Sequence, residues 1–165
     1  MEKQSLRTDD CINEIVSKYS DMVLRLAFIY VKNISDAEDI TQDVFLKLYR
    51  GNKVFNNDEH LKAWLIVVTK NTSKDYIKSL WRRKTEELKD NLSANDNYFD
   101  SQLIKEVLKL PVKYRDVLYL YYYEGYSISE IAKNLNINEA TIRTRLKRGR
   151  EALKRKIGGL DELYV

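Results

Sequence analysis

The segment 127–157, SISEIAKNLNINEATIRTRLKRGREALKRKI, admits few folds besides two helices crossing at a sharp turn. Ser127 and Glu130 have the S-x-x-E spacing of a capping box, in which each side chain satisfies the other residue's free backbone N–H, so a helix is predicted to start here. Ile128, Ile131, Ala132 and Leu135 recur at helical spacing and give it one apolar face, with Ala132 small enough for a close crossing. Asn136 tolerates the left-handed backbone that a tight turn requires. Asn138 is a good N-cap, and Ile142, Leu146, Leu153 and Ile157 mark the inner edge of the second helix. Arg143, Lys147, Arg150 and Lys154 follow on the opposite side, and Arg145, Arg148, Arg155 and Lys156 widen that stripe. Such a helix fits a DNA major groove, with N-terminal side chains at base edges and the basic flank on phosphates. A solvated basic face on a helical hairpin would explain the charge alone. It would not explain why box, small residue, turn residue and two in-phase apolar edges coincide.

The net charge of +4 over 165 residues is mild, but it is unevenly spread. Basic residues cluster in 70–84 and 143–156, and Glu86, Glu87, Asp90, Asp96 and Asp100 make the stretch between them acidic. Two basic regions about an acidic connector suit two contacts with one polyanion. The single cysteine, Cys11, excludes an internal disulfide and suits a reducing cytoplasm. It reads as a small buried apolar residue rather than a sensor. No apolar stretch follows a basic start, so no secretory leader is expected, and no run approaches the ~20 apolar residues of a membrane span. The one histidine, His60, has no neighbours at metal-ligand spacing. Neither cofactor, metal nor membrane insertion is expected.

Helical periodicity extends along the chain, interrupted by one proline and five glycines. Helices are predicted over 9–32, 35–50, 58–83, 101–109, 112–124, 127–135 and 138–157, with Gly158-Gly159 as the final stop. The run VLYLYYY at 117–123 would suit a strand by composition. Leu110-Pro111 looks like a helix start with proline in the first turn, so the run is assigned to a helix. Residues 84–100, polar and rich in Asn and Asp, have the composition of a flexible linker. The predicted fold is therefore all-α: two small helical domains, 1–83 and 101–165, joined by that linker, the second carrying the helix-turn-helix.

Two segments of the first domain say more than packing requires. Ser35-Asp-Ala-Glu38 is a second capping-box pattern, and Ala37, Ile40, Val44 and Leu48 form the inner edge of the helix it opens. Asp36, Asp39, Gln42, Asp43, Leu46 and Arg50 point outward. The helix dipole accounts for acids in the first turn. It does not account for Gln42, Asp43 and an outward Leu46, which suit a protein-docking face. In 60–84, Leu61, Trp64, Leu65, Val68 and Thr72 lie inward, while Lys70, Lys74, Lys78 and Arg82 repeat every fourth residue. Basic residues at a helix C-terminus are mildly stabilising in any case. With Asn71, Tyr76 and Trp81 interleaved, the same surface suits a nucleic-acid backbone and unpaired bases. Phe55, in the polar loop 53–60, fits either a plug onto the helix or the wall of a base pocket.

Taken in order, DAEDITQDVFLKLYR, LKAWLIVVTKNTSKDYI, a polar linker, LPVKYRDVLYLYYYEGYSISEIAKNL and ATIRTRLKRGREALK resemble a bacterial extracytoplasmic-function sigma factor from about residue 12 to 157. The resemblance implies a promoter-specificity subunit of RNA polymerase, without chemistry of its own, serving a stress or envelope-response regulon in the cytoplasm. It implies a first domain that binds the polymerase clamp and the promoter element near the start site, and a second that binds the polymerase flap and the distal element. On it, Asp39, Gln42, Asp43 and Leu46 become polymerase contacts. Phe55, Lys70, Asn71, Lys74, Lys78 and Arg82 become DNA contacts of the first domain, with Asn71 at a base pocket. Thr141, Arg143, Thr144, Lys147 and Arg148 become those of the recognition helix. Asp43 stands where the family often has Glu, and Lys147 and Gly149 where apolar and alanine residues are common. The implied partners are core polymerase, promoter DNA and an anti-sigma factor. A stand-alone DNA-binding regulator would explain 127–157 equally, but leaves the docking face and the basic-aromatic helix unused. A nucleic-acid enzyme such as a recombinase would need a metal-binding carboxylate cluster or an activated serine, and neither stands out.

Overall fold

The computed structural model describes residues 6–83 and 102–157, with side chains from residue 11 onward. Residues 6–83 belong to one structural unit and 102–157 to another. The expectations for the linker 84–100, for Lys84, for the Gly158-Gly159 stop and for the tail fall outside the described residues.

In the first unit, α1 (Thr8–Val31) carries one irregular residue, the half-buried Cys11 (φ −132°, ψ 15°). Val23, Leu26, Ala27, Phe28 and Ile29 of α1 are all but inaccessible, because α2 and α3 cover it from two sides. Lys32, with left-handed φ of 58°, turns the chain, and Asn33 then caps α2 (Ile34–Arg50). Asn33 Oδ1 accepts the Asp36 N–H at 3.0 Å. This corrects the capping box expected at Ser35 and Glu38. Asn33 is the residue left in extended backbone (φ −136°, ψ 126°), and Ser35 already lies inside the first turn. Ala37, Ile40, Val44 and Leu48 are buried as their spacing predicts, and Phe45 joins them.

A two-residue strand interrupts the loop expected at 53–60. Leu6–Arg7 (β1) pairs antiparallel with Val54–Phe55 (β2), Leu6 opposite Phe55. The third helix, α3 (Asp58–Arg83), has 26 residues and so runs about 39 Å. It buries Leu61, Leu65, Ile66, Thr69, Thr72 and Ser73, whereas Trp64 and Val68 are only half-buried. The buried stripe thus lies to one side of the predicted one. The Thr69 hydroxyl donates to the Leu65 carbonyl at 2.6 Å, which satisfies its buried oxygen within the helix. Each fully buried Leu, Ile or Phe stabilises the bundle by about 1.5–3 kcal/mol, and that shared core is what holds helices marginal on their own. Full burial along α3 ends at Ser73, and the arm that follows, residues 74–83, keeps one half-buried side at Tyr76, Ile77, Ser79 and Leu80 while the rest is exposed.

The second unit comprises α4 (Gln102–Leu108), α5 (Val112–Leu118), a π-helical turn (Tyr119–Tyr123), α6 (Ile128–Leu135) and α7 (Glu139–Ile157). Pro111 is the cap of α5 rather than a member of its first turn, with extended ψ of 143°. The aromatic run is helical as assigned, but its last turn is widened: Glu124 N–H reaches back to the Tyr119 carbonyl at 3.1 Å. Within it the Tyr119 and Tyr123 rings stack at 5.2 Å and 14°. Gly125, at φ 72°, then redirects the chain in a conformation that costs glycine little. Arg115 is buried and donates to the Leu108 carbonyl at 3.1 Å, tying α4 to α5. Glu106 accepts from Gln102 and from Lys109, each at 2.9 Å. The Lys109 ammonium, first among its partners, holds the Glu106 carboxyl below the usual carboxylate range.

Candidate nucleic-acid and docking surfaces

The turn that aims α7 is built from local contacts. Ser127 N–H donates to Glu130 Oε2 at 2.8 Å and Glu130 N–H to Ser127 Oγ at 3.1 Å, completing the box. Asn136 is left-handed (φ 54°, ψ 49°), and the N–H groups of Ile137 and Asn136 return to the carbonyls of Ala132 and Lys133. This is the paired closure of a Schellman turn. Asn138 Oδ1 then accepts Ala140 N–H at 2.8 Å and starts α7. Ile131, Ile142, Leu146 and Leu153 lock the two helices from within, with Ile157 half-buried.

On the outer side of α7, Thr141, Arg143, Thr144, Lys147 and Arg148 are all exposed. The Thr144 hydroxyl donates to the Ala140 carbonyl at 3.0 Å, which keeps it close to the helix. Arg143 lies 3.5 Å from Glu139, an exposed pair worth at most about 1 kcal/mol and easily exchanged for a phosphate or a base. Arg150 departs from the predicted stripe. It is half-buried, and its guanidinium donates to the Tyr122 hydroxyl at 3.0 Å. Gly149 is a packing residue: a Cβ there would sit 3.0 Å from Leu118 Cδ1 and 3.4 Å from Tyr114 Cβ.

On α2, Asp39, Gln42, Asp43 and Leu46 share an exposed face, with Asp43 3.3 Å from Lys47. Leu46 is 45% exposed, and the sequence reading missed its neighbour Tyr49, 55% exposed and one turn further on. The i, i+3 spacing from Leu46 was the available signal. Two large apolar side chains beside three polar ones form a patch suited to a protein partner. Asp36, expected to point outward, instead accepts the Tyr76 hydroxyl at 2.6 Å. Partial burial, reinforced by that acceptor, pushes the Tyr76 phenol up to about 12. Tyr76 therefore joins α2 to α3 and is not an open stacking platform.

Along α3, Asn71, Lys74, Lys78 and Arg82 are exposed, Lys70 is half-buried, and Trp81 is 66% exposed. Lys74, Lys78 and Arg82 lie on the exposed side of the arm, away from the half-buried Tyr76, Ile77 and Leu80. Phe55 is corrected: at 1% exposure it offers DNA no surface. Its ring packs edge-on against His60 at 5.2 Å and Trp64 at 5.7 Å, because the loop's one other apolar residue, Val54, alternates outward. Among the described residues, no helix is long and apolar enough to cross a membrane. No group of His, Cys, Asp and Glu among them could hold a metal ion.

Comparison with known proteins matches residues 15–83 to the family described as Sigma-70 region 2 and residues 101–153 to Sigma-70, region 4. The chain is 31% identical to the ECF RNA polymerase sigma factor SigW of Bacillus subtilis, with 92% of this chain and 91% of that protein aligned. It is 32% identical to SigM of the same organism, over 87% of this chain and 93% of the relative. Among solved structures, the sigma factor RpoE in complex with the anti-sigma factor NepR from Bartonella quintana shares the fold, with a TM-score of 0.77, 20% identity and coverage of 93% and 99%. Both halves of the chain, their order and their shared helical architecture lead to one assignment: it belongs to the ECF sigma factors, the subunits that direct RNA polymerase to promoter DNA.

Proposed function

We propose a division of labour within this sigma factor: residues 1–83 hold core polymerase and the opening strand, and residues 101–165 read intact duplex upstream. The observation that carries it is the separation of chemistries. One exposed face of α2 is acidic and apolar, while the arm of α3 and the outer side of α7 are basic. Asp39, Gln42, Asp43 and Leu46, joined by Tyr49, contact the polymerase. Asn71 receives a base extruded from the opening strand, with Lys70, Lys74, Lys78 and Arg82 along the backbone. Extrusion costs a few kcal/mol of unstacking, which a fitted site and phosphate contacts offset. Thr141, Arg143, Thr144, Lys147 and Arg148 read base edges and phosphates of the distal element in the major groove. Phe55 supports the loop from inside.

The protein works in the cytoplasm, catalyses nothing itself, and serves a stress or envelope-response regulon. An anti-sigma factor belongs among its partners, as NepR is bound to RpoE in the solved complex. Reconstituted holoenzyme tests the division. Arg148→Ala should weaken promoter-dependent transcription by about tenfold or more, the loss of one base or phosphate contact, while core polymerase still comigrates with the variant. Asn71→Ala should reduce permanganate reactivity of the opened strand with duplex capture nearly intact. Loss of core binding in the first variant, or unchanged reactivity in the second, overturns the assignment.

A further inference from the structure

The loop ahead of α3 is shaped by a residue that neither basic stripe nor docking face employs. His60 turns back from the first turn of α3, and its Nδ1 accepts the backbone N–H of Asn56 at 3.2 Å. The His60 backbone N–H donates to Asn57 Oδ1 at 2.8 Å, and the His60 ring meets Phe55 edge-to-face at 75°. Trp64 backs Phe55 from the next turn, and the Lys53 ammonium lies 5.2 Å from the Trp64 ring centroid. The backbone of the loop at Asn56 and its one buried ring are therefore both tied to a single imidazole. Asn56 itself is exposed. Its carboxamide carries both donors and an acceptor, the combination that reads a base edge bidentately.

We propose that His60 is a positioning residue for promoter specificity: its Nδ1, by fixing the Asn56 backbone, sets the angle at which Asn56 meets the opened strand. This rests on the assignment of α3 to that strand and extends it to the exposed loop that leads into the helix. Arginine or lysine at position 60 could not replace it, since neither side chain carries an acceptor. Asparagine could, because its Oδ1 occupies nearly the position of an imidazole Nδ1.

The experiment uses holoenzyme and a promoter pool randomised across the element near the start site, with four proteins: wild type, His60→Ala, His60→Asn and Asn71→Ala. The expected result is that His60→Ala lowers the preference for the favoured base at one position by about fivefold, the equivalent of one neutral hydrogen bond. His60→Asn should restore most of that preference, and both variants should bind core polymerase normally, which also shows that they fold. Rescue by asparagine is the outcome that a merely structural role for the ring would not give. A preference unchanged in His60→Ala, or flattened equally in His60→Asn, overturns the proposal while opening remains sensitive to Asn71→Ala. Should Asn71→Ala leave opening unchanged too, it is the assignment of α3 that fails.

Discussion

Asn136 and Tyr76 illustrate how differently single side chains serve this protein. Asn136 is valued for its backbone, held at φ 54° in the turn of the helix-turn-helix. Asn136→Gly should leave stability within about 0.5 kcal/mol of wild type, whereas Asn136→Ala should cost about 1 kcal/mol or more from left-handed strain. Thermal unfolding followed by far-UV circular dichroism distinguishes the two. Tyr76 is valued for its hydroxyl, donated to Asp36 across two helices. Tyr76→Phe should destabilise the first unit by about 1–2 kcal/mol, read by urea unfolding. Both tryptophans, Trp64 and Trp81, lie in that unit, so their fluorescence reports it selectively. The phenol is raised from 10.0 to about 12 in the folded chain. Its contribution is thus fully present below pH 10 and lost as pH rises through about 12. The wild type and Tyr76→Phe should therefore converge in stability across that interval, and a constant gap would contradict the assignment.

The elements show which local signals survive packing. At both ends of α6 and at the start of α7 the signals acted as read, because Ser127, Glu130, Asn136 and Asn138 make their hydrogen bonds within a few residues of themselves. At α2 the cap is Asn33, two residues ahead of the Ser35 that the S-x-x-E pattern pointed to, and it follows directly on the left-handed Lys32. Along α7, Gly149 faces the side of α5 at Leu118 and Tyr114, a relation between elements that helical spacing does not disclose. Alanine there would press on the flexible end of Leu118 but gain about 1 kcal/mol of helix propensity, so Gly149→Ala should be nearly neutral. Gly149→Leu overpacks the crossing and should cost about 1–3 kcal/mol. Denaturant unfolding followed by tyrosine near-UV dichroism would test both, and equal losses in the two variants would refute a steric origin.

For the molecule as a whole, the proposed DNA contacts are a matter of electrostatics. If about five phosphates are neutralised, the logarithm of holoenzyme affinity for promoter DNA should fall against log salt with a slope of about −4 to −5 beyond that of core polymerase alone. Lys74→Ala should reduce the slope by about 1, measured by fluorescence anisotropy across a salt series. An unchanged slope would remove the α3 arm from the DNA contact. The amino-acid order already specified the helices of both units, the turn aiming α7, and the exposed sets on α2 and α7. Those follow from periodicity and from hydrogen bonds between near neighbours, which a linear reading can find. Packing settled the fate of particular side chains: Phe55 turned inward onto His60 and Trp64, Asp36 bound to Tyr76, and Arg150 drawn toward Tyr122. Each depends on a partner from another turn or another element, and how closely two such surfaces approach is a property of the assembled core rather than of either segment.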